Sequence, residues 1–248
     1  MAIDEAVLRM RIANLVPNTL RLYRWKPSAV SIGRFQDIEN EVQLDNCRSQ
    51  GIDIVRRITG GGTVYHDSED EVTYSVVARK EDFGTEDIAA VYAKIYAGLA
   101  EAVKTLGLHA DFNQGDEKVC PNLTVNGKKI SGSAQAHKRG VVLQHGTLLL
   151  KVNMERMFTY LRVPWAQTWM QIVNVARNKI TSVSAELRKN VSTEDASNAL
   201  ARGFETALNI RLVEGRLTDG EIEFSRNLCK EKYAADDWNF RGKAACQK

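Results

Sequence analysis

Short apolar runs dominate the first third of the chain, and a longer period takes over after it. Leu20 to Trp25, Ala29 to Ile32 and Ile52 to Ile58 are rich in β-branched and aromatic residues and read as strands. Val72, Tyr74, Val76 and Ala78 alternate with polar positions such as Thr73 and Ser75, which predicts a half-buried strand. Ile88, Val91, Tyr92, Ile95, Leu99, Ala102 and Leu106 then fall at helical spacing, with Thr85 to cap the start and Gly107 to stop it. Val125 to Ser131 and Val141 to Val152 return to strand character. Ala196, Leu200, Phe204, Ala207 and Leu208 mark a second long helix behind Ser192, and Thr218-Asp219-Gly220-Glu221 is the capping box of a third. The opening MAIDEAVLRMRIANLVPN, with Asp4, Glu5 and Arg9 close together, reads as an amphipathic helix. Strands first and helices around them predict an α+β fold, a mixed β-sheet flanked by helices. One domain over residues 1–248 is expected, with a small C-terminal layer and no C-terminal accessory domain.

Composition narrows the setting more than the function. Hydrophobic residues make up 44% of the 248 residues and charged residues 26%, enough for a sizeable core in a soluble chain. No stretch approaches the roughly 18 apolar residues of a membrane span, and the first turns are too charged for a signal peptide. The four cysteines, Cys47, Cys120, Cys229 and Cys246, are far apart and form no CxxC pair. A disulfide framework or structural metal is therefore not expected, and the cytoplasm is the expected compartment. A net charge of only +3 gives no reason to expect a nucleic-acid partner, and leaves room for a small anion or an acidic protein.

Three polar constellations carry the candidate chemistry. In RRITGGGTVYHD, Gly60, Gly61 and Gly62 sit between two strand-like segments, where three glycines are costly in backbone entropy. Their N–H groups can close around an oxyanion, and Arg56 and Arg57 bring charge to the same place. Adjacent strand residues face opposite ways, so only one of the two arginines is expected to reach the ligand. The spacing matches neither the P-loop nor the dinucleotide fingerprint, and a loose hairpin turn is the bland alternative. In NGKKISGSAQ, Lys128 and Lys129 lie in a turn followed by a strand, so one lysine points inward and the other to solvent. An inward ammonium can neutralise a carboxylate and a phosphate together and stabilise charge that builds there during reaction; two solvated lysines are the commoner reading of such a pair. In LQHGTLLL, His145 interrupts an apolar strand and Gly146 leaves space for a ligand, although a satisfied core histidine is the commoner explanation of a lone His.

The three blocks in this order resemble the biotin/lipoate ligase superfamily, in its lipoate–protein ligase and octanoyltransferase branch. AIDEA near the start and KYAADDWNF near the end extend the resemblance over nearly the whole chain. It implies a mixed sheet flanked by helices, and a glycine loop covering an acyl adenylate. ATP or lipoyl-AMP contacts would then fall to Arg57, Gly60, Gly61, Gly62, Thr63, Val64, Tyr65 and His66. Lys129, which precedes the hydrophobic-Ser-Gly step, would be the catalytic lysine bridging the lipoyl carbonyl and the phosphate. His145, Gly146 and Thr147 would line the lipoyl pocket.

On this resemblance the expected activity is ATP-dependent lipoate–protein ligation, with lipoate as substrate and Mg²⁺ and ATP as cofactors. The lipoyl group would pass through lipoyl-AMP to a lysine of an acceptor domain, of the E2 or glycine-cleavage H-protein type. Asn122 stands where ligases carry an Asp that helps hold magnesium, and an amide binds Mg²⁺ more weakly than a carboxylate. The short C-terminus suggests a separate small accessory subunit for the activation step. Two alternatives stand beside this reading. A cysteine-dependent octanoyltransferase or lipoyl amidotransferase needs a nucleophile, for which Cys120 is the cysteine near the lysine segment. A non-catalytic module that binds lipoyl domains would need neither the glycine loop nor the lysine.

Overall fold

The computed structural model describes residues 1–116, 120–163, 166 and 168–240; Cys246 lies outside the described residues. Among them the strands are β1 (Thr19–Tyr23), β2 (Ala29–Ile32), β3 (Asp53–Arg56), β4 (Val64–His66), β5 (Glu71–Arg79), β6 (Asp111–Asn113), β7 (Asn122–Val125), β8 (Lys128–Lys138) and β9 (Val141–Leu149). Six of these pair antiparallel in the order β1-β5-β9-β8-β7-β6. A second sheet, β3-β2-β4, is mixed: β2 runs parallel to β3 and antiparallel to β4.

The helices Ile88–Thr105 and Thr193–Leu208 cover one face of the large sheet. Ile95, Leu99 and Phe204 share a core there with Val72, Tyr74 and Leu148. On the other face Val7 and Leu8 of the helix Ala2–Ile12 pack on Val77, Val141 and Leu143. β5 is central in its sheet and covered on both sides, so Glu71 to Ala78 are all buried. The expected half-buried strand is thus corrected: the polar positions of its alternation face a buried polar layer instead of water.

Local signals placed most boundaries. Ser192 and Thr218 cap their helices through the N–H groups of Asp195 and Glu221, the latter as a complete capping box. At Ile88–Thr105 the cap is Asp87, whose carboxylate accepts from Ala90 N–H, while Thr85 accepts from the N–H of Asp87. The helices Met154–Tyr160 and Trp169–Lys179 have no counterpart in the apolar period. The second buries only Val173 and Ala176. Near the end of the described chain, Trp238 and Asn239 fold back onto Arg56. Its guanidinium donates to the carbonyls of Trp238, Asn239, Gly33 and Gln36 and is 1% exposed. Cys47, Cys120 and Cys229 are free thiols. Among the described residues no helix is long and apolar enough to cross a membrane.

Candidate active site

Antiparallel pairing in register carries a row of side chains across five strands. Tyr23 pairs with Thr73, Thr73 with Thr147, Thr147 with Gly132, and Gly132 with Asn122. Directly paired residues share a face, and all five line one cavity of about 460 Å³. Its facing wall comes from the second sheet and the loop before β4, through Ser31, Gly61, Gly62, Thr63, Val64 and His66. The mainly apolar remainder includes Trp25, Met157, Phe158, Leu161 and Ile180.

Most of the residues singled out in the sequence meet in this cavity. Arg57 lines it and Arg56 does not, as the opposite facing of strand neighbours requires. Lys129 lines it, while Lys128 lies in a separate surface groove with Asn153 and Arg177. Gly61, Gly62, Thr63, Val64, Tyr65 and His66 contribute, and so do Cys120, Asn122, His145, Gly146 and Thr147. Gly60 is not in the wall; it acts through its carbonyl, which accepts from Arg57 Nη2 at 2.9 Å.

Arg57 carries the strongest electrostatic constraint. Its guanidinium donates to the carbonyls of Gly60 and Gly62 (2.9 and 2.8 Å), to the carbonyl and Oγ of Ser31 (2.9 and 2.7 Å), and to Thr59 Oγ1. Burial pushes its pKa down to about 10. The donors expected to meet a nucleotide are therefore committed to the loop, which Arg57 ties down by its carbonyls.

Lys129 sits where β8 bulges against β7: Thr124 pairs with Lys129, but Leu123 pairs with Ser131. Its chain lies across Gly132, where an added Cβ would stand 2.6 Å from Nζ. Burial lowers its pKa, opposed by Cys120 and reinforced by Arg57. Lys129, Cys120 and Arg57 line one cavity.

The two histidines are tied on both sides. His66 contacts Glu71 through Nδ1 and Ser31 through Nε2, each at 2.7 Å, and stacks on Trp25 with ring centres 4.2 Å apart. His145 contacts Asp4 through Nδ1 at 2.9 Å and Thr59 through Nε2 at 2.8 Å. Burial pushes the His145 pKa down, against the pull of the Asp4 carboxylate. Gly146 differs from expectation. A Cβ there would meet the Gly132 carbonyl, the Ser133 side chain and the Tyr74 ring, so its missing side chain makes room for protein.

The donor set does not fit a protein-held magnesium ion. Among the described residues no carboxylate lines the cavity, and no group of three or more His, Cys, Asp or Glu could hold a metal. Asn122 offers a single amide, whose Nδ2 donates to the Cys120 carbonyl.

Several contributors carried no sequence signal of their own. Asp4 is 1% exposed on a helix that reads as amphipathic and pairs with Arg21 at 2.6 Å. Ser31 sits in an all-buried strand, and Gln36 Oε1 accepts from both Gly33 N–H and Thr63 Oγ1. Gly33 lies under the glycine loop, with no room for a Cβ beside the Gly61 carbonyl. An acidic residue on the apolar side of a helix was the one available hint, at Asp4.

Residues 1–205 match the family model of the lipoyl protein ligase A/B catalytic domain. The chain is 33% identical to octanoyltransferase LipM of Brevibacillus brevis, covering 97% of this chain and 94% of that protein. Octanoyltransferase LipM of Kyrpidia tusciae is 38% identical, with 97% and 93% covered. Among solved structures, the bi-partite lipoate protein ligase of Thermoplasma acidophilum, studied with its E2 lipoyl domain, superposes with a TM-score of 0.83 at 31% identity. The match covers 96% of this chain and 89% of that one. A lipoate-protein ligase A bound with ATP gives 0.83 at 30%, with 96% and 92% covered. With the family model spanning most of the chain and these relatives nearly all of it, the chain belongs to the lipoyl protein ligase A/B catalytic-domain family.

Proposed function

We propose that this chain is an octanoyltransferase, moving an octanoyl group from a carrier-protein thioester to the acceptor lysine of a lipoyl domain through a thioester on Cys120. The observation that carries the reading is that Cys120 and Lys129 share the wall of one largely apolar cavity. Burial favours the neutral amine of Lys129, and that amine takes the thiol proton. The Cys120 thiolate then attacks the donor carbonyl. The tetrahedral intermediate collapses with loss of the carrier thiol, which leaves with the proton returned from Lys129. In the second half, the acceptor amine attacks the Cys120 thioester, an amide forms and the free thiol is restored. Neither half consumes ATP. The curated relatives, named octanoyltransferases, support this reading over ATP-dependent ligation.

The ligase reading keeps one support: the intact Gly60–Gly62 loop, on a fold shared with a ligase bound with ATP. Against it stand the committed donors of Arg57 and the lack of a carboxylate for magnesium. On that reading a separate accessory subunit would be required for activation, as in a two-part ligase.

Mass spectrometry after incubation with octanoyl carrier protein separates the two. An octanoyl adduct on Cys120, and loss of ATP-independent transfer in Cys120→Ser, are expected. Lipoate-dependent ATP–pyrophosphate exchange, with Cys120→Ser fully active in lipoylation, would establish the ligase instead. Retained lipoyl-domain binding with neither activity would leave the binding module.

A further inference from the structure

Two buried chains of hydrogen bonds converge on Arg57 from different elements. In the first, Glu71 Oε1 meets His66 Nδ1 at 2.7 Å, His66 Nε2 meets Ser31 Oγ at 2.7 Å, and Ser31 Oγ meets Arg57 Nη1 at 2.7 Å. In the second, Asp4 Oδ2 meets His145 Nδ1 at 2.9 Å, His145 Nε2 meets Thr59 Oγ1 at 2.8 Å, and Thr59 Oγ1 meets Arg57 Nε at 3.4 Å. Every member is at most 5% exposed.

The two ends of each chain dictate its protons. A guanidinium can only donate and an ionised carboxylate can only accept. Arg57 therefore donates to each hydroxyl, each hydroxyl donates to Nε2, and each histidine donates from Nδ1 to its carboxylate. In this arrangement Nδ1 is the donor and Nε2 the acceptor of each ring. The burial-driven lowering of the His145 pKa agrees with this assignment.

The output of both chains is the remaining edge of Arg57, which grips the carbonyls of Gly60 and Gly62. We propose that His66 and His145 are positioning residues: through Ser31 and Thr59 they hold Arg57, and through Arg57 they set the shape of the glycine loop over the cavity. This rests on the reading of that cavity as the acyl-transfer site. Neither histidine needs to touch the reacting atoms, which distinguishes the role from that of Cys120 or Lys129. Buried networks of this kind lose more than the sum of their pairs when broken, because each remaining member is left unsatisfied.

The test is a double-mutant cycle on the full chain, read as the single-turnover rate of Cys120 octanoylation. His66→Leu removes the acceptor for Ser31 and should lower that rate on the order of tenfold or more, with KM for octanoyl carrier protein nearly unchanged. His66→Gln restores an acceptor near the Nε2 position and should recover most of the rate. Thr59→Val interrupts the second chain without stranding the Asp4 charge and should behave like His66→Leu. In an Arg57→Gln background both changes should cost little further, since the group they hold is gone. Multiplicative losses in both backgrounds, or no recovery in a folded His66→Gln protein, would overturn the proposal. Amide hydrogen exchange at Gly60 to Thr63 gives an independent readout and should quicken in His66→Leu and in Thr59→Val. If the parent protein forms no adduct on Cys120, the reaction reading fails. The exchange data still decide the positioning role, because unchanged protection would end it.

Discussion

A single residue of offset separates a working lysine from a decorative one. Lys128 and Lys129 are chemically the same, and the bulge in β8 sends only Lys129 into the cavity beside Cys120. Lys129→Ala should therefore lower octanoyl transfer by on the order of a hundredfold or more, as expected for a charge acting mainly in the transition state. Lys128→Ala, which alters a separate groove, should stay near the parent rate; equal small losses at both positions would remove the assignment. Gly132→Ala offers a subtler check, because its Cβ would occupy the place of the Lys129 ammonium. The lysine chain is flexible and will move, so kcat should fall while the melting temperature changes little. The sequence pointed to an inward lysine but not to Gly132 as its seat. That contact depends on a side chain lying back across the strand three residues further on.

At the scale of elements, the β7–β8 hairpin decides which lysine faces inward. Asn126 and Gly127 adopt φ angles of +51° and +73°, both left-handed, in a two-residue connection that matches the twist of the strands. Such a turn fixes register, and a one-residue slip would exchange the faces of Lys128 and Lys129. Nothing stands within 4 Å of a Cβ added at Gly127, so Gly127→Ala tests backbone strain alone. It should destabilise by about 1–2 kcal/mol in urea unfolding. An unchanged midpoint would mean that the turn does not hold the register. Asn-Gly is readable in a sequence because its physics is local, as are Ser192 and the Thr218 capping box. The helices Met154–Tyr160 and Trp169–Lys179 were not readable. They are held by a few tertiary contacts, among them Val173 and Ala176, and not by a continuous apolar stripe.

At the scale of the whole molecule, what escapes the sequence is the polar layer between the two sheets. Thr73 and Ser75 look like the wet side of a strand, yet both are buried, Thr73 in the wall of the cavity. Likewise Arg56 finds its acceptors 182 and 183 residues along the chain, in Trp238 and Asn239. No spacing rule reaches that far. The glycine loop, Arg57, Lys129 and His145 were legible because each breaks a local pattern. Their partners Ser31 and Thr59 conform to local patterns and become visible only in three dimensions, while Asp4 shows in the sequence only as an acidic residue on the apolar side of a helix.

Enclosing that layer gives stability a pH dependence whose sign follows from His145. Burial places its folded pKa below the unfolded value of 6.5 despite the Asp4 hydrogen bond. Above about pH 6.5 the ring is neutral in both states, and this contribution is constant. As pH falls below that value, the unfolded chain takes up a proton that the folded chain refuses. Stability then declines by at most about 1.4 kcal/mol per pH unit for this one group, until the folded pKa is reached. The groups acting on the ring are Asp4 and Thr59 by hydrogen bonds, with Arg57 and the N-terminal ammonium as the nearby positive charges. Asp4 works in a different range, because its pKa is held below the usual carboxylate value. Burial opposes that shift, while the His145 hydrogen bond and nearby positive charges such as Arg21 outweigh it. Its contribution is present above about pH 4 and is lost only as pH falls through the lowered folded value. His137, also lowered by burial, shares the sign of His145 but lies on β8, outside this chain of hydrogen bonds. Urea unfolding of the parent and of His145→Gln at pH 5.5 and 7.5 separates these terms, since only the parent carries the His145 proton uptake. The parent should lose more stability than the variant between the two pH values, whatever each measures at pH 7.5. Equal losses would mean that His145 is not held neutral in the fold, and the proton order of the Asp4–His145–Thr59 chain would fall with it.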